Sequence, residues 1–439
     1  MKLLLLLTSL LMTSCSNESS IEIESFVASN SNEKSEEISE ALSEKVSDIS
    51  SEEANFELLP LDSEHGNATK NQLFGLFYEI EERKKDENFT IEKDIILLKK
   101  LGVNYVRMGL RVPYYLYDET RINPAPCKDM HSVLGKILES NIDVHMDVTI
   151  FFTNGAALRS VPKRNISRRS EYISWLNKYY DTCYTLAKEF PEITNWACGN
   201  ETNYSLLDME GNDTYTYKER AEISTDMAYY GYQAIKKANP NSIIQIAGPV
   251  GLKNDLIVNW FKLVYENIQS GEFGYFYEKQ AKEEADTNPD SYFDLAAWHP
   301  YVHNDDFSVE MFTSLNKRIY DTILEYEGKH KPVIFSEFGY TNEEMTEQQA
   351  ASNLYDSYEI VKSLPFVQGA TYYKFLDYGS DTYYLGRISR YGLFYDPIES
   401  RKYNDGFSEE IVQSGGIKKQ ALAYQLVANG EGELIVNEN

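Results

Sequence analysis

Eight apolar runs recur along this chain with segments of helical period between them, and this repeat restricts the fold more than any other feature. The runs are QLFGLFYEI (72–80), NYVRMGL (104–110), DVHMDVTIFF (143–152), ITNWACGN (193–200), SIIQIAGPV (242–250), FDLAAWHPYV (293–302), KPVIFSEFGY (331–340) and VQGATYYKFL (367–376). Each is continuous rather than alternating, as strands buried on both faces are. Between the first two, Ile91, Ile95, Leu98 and Leu101 fall on one side of a helix that Gly102 would stop. Similar stretches run through 173–190, 218–238, 256–268, 309–326 and 348–364, and a closing helix is expected after Ile417. Eight β/α repeats predict an α/β fold closed into a (β/α)8 TIM barrel, not an open doubly wound sheet. No Gly-rich dinucleotide or phosphate loop follows the first strand.

Barrels of this kind run to about 250 residues and often more as one domain, so 439 residues accommodate one large domain and a tail. The organisation expected is a lipoprotein signal peptide over 1–14, an acidic Ser/Glu-rich tether over 15–68 and the catalytic barrel over 69–430. The first segment, MKLLLLLTSLLMTSC, has one basic residue, an apolar stretch from Leu3 to Met12, and then Cys15. That pattern resembles a bacterial lipoprotein signal, in which the cysteine, here Cys15, is lipidated and becomes the mature N-terminus; an ordinary secretory signal is the other reading. Export is expected either way, and on the first reading a lipid anchor holds the chain to the bacterial cell envelope, at the outer membrane, periplasmic face or cell surface. The tether is too polar to bury a core, although Ile38, Leu42, Val46 and Ile49 recur at helical spacing.

The formal charge of −27 argues against nucleic acid or anionic lipid as a partner, since either would be repelled. A neutral glycan is the easier partner, and part of the charge is confined to the stretch from Glu18 to Glu64. The 34 tyrosines suit a surface that stacks on sugar rings and hydrogen-bonds their edges, or are simply a frequent residue here. Cys127, Cys183 and Cys198 form neither a disulfide framework nor a metal-site spacing; Cys127 and Cys183 fall in expected helices and Cys198 in a strand.

Glu201 and Glu337 each end an apolar run, in WACGNETN and PVIFSEFGYT. Carboxylates at the C-terminal ends of barrel strands stand at the catalytic mouth. Three β/α units separate them, which places the pair on strands four and seven, facing each other across a closed barrel. A facing pair of acids points to glycoside hydrolysis, in which one donates a proton and the other attacks or activates water.

Here the chain resembles the retaining glycoside hydrolases of clan A, of the family 5 or family 39-like cellulase type, over roughly 71–425. The resemblance implies that Glu201 is the acid/base after Asn200, that Asn200 holds the sugar 2-hydroxyl and that Glu337 is the nucleophile. It also implies that Arg107, in YVRMGLR, lies beside the nucleophile and keeps its pKa low, and that His299 and Tyr301, in WHPY, line the site, with the Tyr301 hydroxyl orienting Glu337. Glu201, less compensated, should have a raised pKa. Relatives often carry Pro after the acid/base, where this chain has Thr202, and a strand-eight Trp, where it reads TYYKFLDYG. Tyr372 or Tyr373 would then serve as the sugar platform, and Lys374 would add a charge to the cleft.

No cofactor is called for. His299 and His303 are four apart, but a Pro lies between them and no third ligand accompanies them, so a metal site is not expected. Trp196 and Trp298 are expected in the core or cleft wall, and His145 and Asp147 either line the cleft or pack. An enolase-like metal enzyme would need a ladder of carboxylates on successive strand ends, which the chain lacks. The alternative function is a catalytically inactive, glycan-binding surface lipoprotein on the same scaffold. Sugar, linkage, endo or exo action and oligomeric state are set by features the sequence does not display, although Lys374, Arg387 and Arg390 could together accept a carboxylate or sulfate.

Overall fold

The computed structural model describes residues 73–149, 160–204, 208–209, 215–251, 255–271, 286–302, 306–378, 389–396 and 416–430. The expected signal peptide, Cys15, the tether, His303 and Arg387 lie outside the described residues.

Eight parallel strands form the centre: β1 (Phe74–Phe77), β2 (Tyr105–Arg111), β3 (Asp143–Thr149), β4 (Asn195–Ala197), β5 (Ile243–Gln245), β6 (Ala296–Trp298), β7 (Val333–Phe338) and β8 (Val367–Tyr372). Each falls on one of the eight apolar runs, with β2 reaching one residue beyond its run. Their order in the sheet runs β6-β7-β8-β1-β2-β3-β4-β5. Parallel bridges Gln245↔Leu295 and Val250↔His299 join β5 to the β6 segment and close the barrel. Closure follows from the repeat: every strand is followed by a helix that packs outside, so all strands run one way and every strand end with a βα loop faces the same mouth.

The longer helices among the described residues are α1 (Ile91–Leu101), α2 (Pro124–Glu139), α3 (Arg169–Glu189), α4 (Tyr217–Ala238), α5 (Leu256–Ser270), α6 (Val309–Glu327), α7 (Glu347–Ser363) and α8 (Lys419–Asn429). Their ends are written in local chemistry. Gly102 ends α1 in the left-handed region at φ 79°, and Thr216 with Glu219 forms a reciprocal capping box at the start of α4. Ser308 and Thr346 cap α6 and α7 through their side chains. Cys127 and Cys183 are buried on α2 and α3, and Cys198 is buried just past β4.

The core fills the layer between barrel and helices. Trp196 and Trp298 belong to it rather than to the cleft: both are fully buried, and the Trp298 indole donates to Asn316 on α6 at 2.8 Å. Many tyrosines sit in the same layer, among them Tyr172, Tyr265, Tyr320, Tyr358 and Tyr424. Tyrosine is here largely a core residue with a tethered hydroxyl; Tyr358 and Tyr424 both donate to the Gly75 carbonyl, at 3.3 and 3.1 Å.

Candidate active site

At the mouth, β2, β4, β6 and β7 bring six of the expected residues together: Arg107, Asn200, Glu201, His299, Tyr301 and Glu337. Arg107 points into the barrel from β2 and is buried. Its Nη1 donates to Glu337 Oε2 at 2.5 Å and its Nη2 to Asn200 Oδ1 at 2.8 Å. The same guanidinium forms an ion pair with Asp147 on β3. Tyr301, two residues past His299, donates its hydroxyl to Glu337 Oε1 at 2.7 Å. Both oxygens of Glu337 therefore accept a hydrogen bond, one of them charge-assisted, as an ionised carboxylate does. Burial and the neighbouring Glu337 push the Tyr301 pKa well up, so the phenol keeps the proton it donates.

Glu201 stands on different terms. Its backbone adopts φ 46°, in the left-handed region, at a cost on the order of 1–2 kcal/mol. The peptide is held there by Glu201 N donating to the Gly248 carbonyl at 3.1 Å and by a turn closed by Tyr204 N to Glu201 O at 2.9 Å. Asn203 clamps the turn onto the end of β5, exchanging hydrogen bonds with the Val250 backbone at 2.7 and 3.0 Å. Strain of this kind persists where surroundings over-determine it, and here it aims a carboxyl into the mouth. Burial raises the Glu201 pKa to about 7, with Arg107 only partly offsetting it. Glu201 Oε1 lies 2.9 Å from His299 Nδ1, and burial holds that imidazole neutral by lowering its pKa to about 3.

The two acids are thus differentiated by environment: Glu337 rests on a cation and a phenol, Glu201 on a neutral ring. A ligand-capable atom of each of Glu201, Glu337 and His299 lies within 4.8 Å of the others. Three such groups could surround a cation, yet the same closeness is what a catalytic acid pair needs, and Glu337 is already engaged by Arg107 and Tyr301.

Of the two strand-eight tyrosines expected as candidates for a sugar platform, one faces the mouth. Tyr372 is turned outward and fully buried, packed near Phe338 and Tyr424 with its hydroxyl on the Tyr340 carbonyl at 3.4 Å, so it does not face the cleft. Tyr373, half-buried, instead joins an aromatic wall at the mouth, its ring centroid 5.1 Å from Phe77 and 5.6 Å from Tyr391. Tyr391, 6.1 Å from Tyr301, was not singled out by the sequence, because it comes from the long loop after β8, which carries no periodic signal. Lys374 is likewise not a cleft cation: it is buried, its Nζ 3.2 Å from Glu79 Oε2 and over the Tyr378 ring. Of the two residues left open on strand three, Asp147 belongs to the site through Arg107, its pKa raised to about 6 by burial against the pull of the guanidinium. His145 packs deeper, its ring stacked 4.0 Å from Tyr105.

A family model described as cellulase (glycosyl hydrolase family 5) matches residues 63–366. The chain belongs to glycosyl hydrolase family 5. Among solved structures, this family 5 chain is similar to a family 39 glycoside hydrolase from Bacteroides cellulosilyticus WH2, at 14% identity and a TM-score of 0.55, covering 82% of this chain and 64% of that one. It is similar also to a β-glucosidase from Thermotoga maritima in complex with noeuromycin, at 13% identity and a TM-score of 0.56, covering 82% of this chain and 98% of that one. At such identities the likeness is one of fold. No curated protein matches the chain. Membership of family 5 makes glycoside hydrolysis the class of chemistry to assign to the site.

Proposed function

We propose that this family 5 chain is a retaining glycosidase that cleaves a β-glycosidic bond of a poly- or oligosaccharide by double displacement. The observation that carries the reading is the closeness of the Glu201 and Glu337 carboxylates, with oxygens within 4.8 Å. Retaining enzymes hold their two carboxyls about 5–5.5 Å apart and inverting ones about 6.5–9.5 Å, to admit a water molecule.

In the first half-reaction Glu337 attacks the anomeric carbon while protonated Glu201 gives its proton to the departing oxygen. In the second, Glu201 takes a proton from water as that water displaces Glu337. Arg107 and Tyr301 fix the Glu337 rotamer and hold its charge until the covalent bond forms. Asn200, oriented by Arg107, offers its amide nitrogen to the sugar 2-hydroxyl, and Tyr373 with Tyr391 forms the wall against which the ring sits. No step calls for a cofactor.

A lipid anchor at Cys15 with the acidic stretch as tether would hold this domain at the cell envelope; loss of membrane association in Cys15→Ala, read by fractionation, tests that part. The catalytic reading is tested by assaying aryl β-glycosides and β-linked polysaccharides and following the anomeric configuration of the first product by NMR. Retention, with turnover lost in Glu337→Gln, is expected. An inverted product would overturn the mechanism, and binding without turnover would leave a glycan-binding protein.

A further inference from the structure

The proposed acid/base touches His299, and what lies behind His299 is unassigned. Its Nδ1 is taken up by Glu201, but its Nε2, fully buried, has no hydrogen-bond partner among the described residues. Nor has the buried hydroxyl of Ser336, the residue before Glu337 on β7. These two atoms crowd the same face of Gly248. A Cβ built there would stand 2.8 Å from His299 Nε2 and 2.5 Å from Ser336 Oγ, so the absent side chain is what leaves them a shared space. The Gly248 carbonyl meanwhile holds the Glu201 backbone. Buried polar atoms are nearly always satisfied, and two that face one small space without bonding each other can be bridged there by a water molecule.

We propose that Ser336 is a positioning residue for the acid/base: its hydroxyl and His299 Nε2, both facing the space at Gly248, are joined by one water molecule that donates to Nε2 and so fixes the Nδ1–H tautomer of His299. The inference rests on the acid/base role proposed for Glu201. A neutral imidazole has one N–H. With that proton on Nδ1, His299 donates to Glu201 Oε1, and the acidic proton of Glu201 must reside on Oε2. From Oε2 it passes to the glycosidic oxygen as the bond from that oxygen to the anomeric carbon breaks and the bond to Glu337 forms. Water later returns a proton to Oε2 as its oxygen displaces Glu337. In the other tautomer Nδ1 is an acceptor, and protonated Glu201 would spend its proton on the imidazole instead. The register shift between Phe335 and Phe338 is what lets Ser336 turn toward Gly248 and Glu337 still reach the mouth.

The test compares the whole chain with Ser336→Ala and Ser336→Thr, using ¹⁵N NMR of the His299 ring and kcat/KM for aryl β-glycosides of graded leaving-group pKa. Expected are an unprotonated Nε2 in the parent, a changed or mixed tautomer in Ser336→Ala, and restoration in Ser336→Thr. With the tautomer change, the loss in Ser336→Ala should be about tenfold or more greater on poor leaving groups than on activated ones, part of the 10²–10⁴-fold that general acid catalysis contributes. A protonated Nε2 in the parent, or a Ser336→Ala protein with the parent's tautomer or the parent's leaving-group dependence, overturns the proposal. If the parent hydrolyses no glycoside, the glycosidase reading fails, and the NMR arm still decides whether Ser336 sets the tautomer.

Discussion

Arg107 donates through Nη1 to Glu337 Oε2 at 2.5 Å, an ion pair that crosses the barrel interior from the second strand to the seventh. The same side chain holds Asp147 and Asn200. One planar fork serves three acceptors, and a point charge on a flexible stem cannot. Arg107→Lys is therefore expected to fold but to lower kcat/KM about 100-fold, chiefly through kcat, because Glu337 and Asn200 lose their relative placement. Arg107→Met should go further and cost about 3–5 kcal/mol in urea unfolding, since it leaves two buried carboxylates without a cation.

Glu201 gives the enzyme a pH signature. Its pKa is raised to about 7, and the acid role proposed for it needs the proton, so kcat/KM should fall as pH climbs through about 7. A pH profile that stays level to pH 9 would remove Glu201 from that role.

Stability moves the same way, for a different reason. The folded-state pKa of Glu201 lies above the unfolded value of about 4.3, so the folded chain binds this proton more tightly. Its contribution is greatest below the unfolded pKa and is lost progressively as pH rises to about 7. Glu201→Gln is neutral throughout, so its melting temperature relative to the parent should rise between pH 5 and pH 8. A constant difference would contradict a buried, destabilised carboxylate.

Strand eight offers a paired comparison. Tyr372→Phe removes only a long hydrogen bond in the outer layer and should leave KM within about twofold, whereas Tyr373→Ala removes a ring from the mouth and should raise KM about tenfold, worth roughly 1.4 kcal/mol. Equal effects from the two would refute the outward placement of Tyr372.

That comparison also shows what the sequence displays and what it hides. Strands buried on both faces are continuous apolar runs, so all eight were legible, and so were Glu201 and Glu337 where those runs end. The same continuity erases parity: nothing in VQGATYYKFL says whether Tyr372 or Tyr373 points inward. Only partners far along the chain decide it, such as Thr371 meeting Tyr105 inside the barrel at 2.9 Å. Ser336 was hidden similarly, since a strict two-residue alternation would turn it away if Glu337 faces in, and the register shift in β7 breaks that rule. The tyrosine excess suggested a sugar-facing surface, yet the hydroxyls of Tyr358 and Tyr424 serve backbone carbonyls within the core.

Lys374 is the last case in which a long-range partner changes the reading. A lysine at the end of a barrel strand suggests a cation waiting for an acidic sugar, but its Nζ sits 3.2 Å from Glu79, at the end of β1, and Glu79 in turn lies 3.6 Å from Arg111. Burial lowers the Lys374 pKa and Glu79 opposes that, so the ammonium is held by its partner rather than offered to a substrate. Lys374→Met keeps the stem and removes the charge, leaving Glu79 to Arg111 alone. The expected result is a loss of about 2 kcal/mol or more in urea unfolding, less than for an orphaned carboxylate because Arg111 remains. The ratio of kcat/KM for neutral over carboxylated or sulfated glycans should be unchanged. A selective loss on the acidic glycans would return Lys374 to the cleft and overturn its assignment as a structural cation.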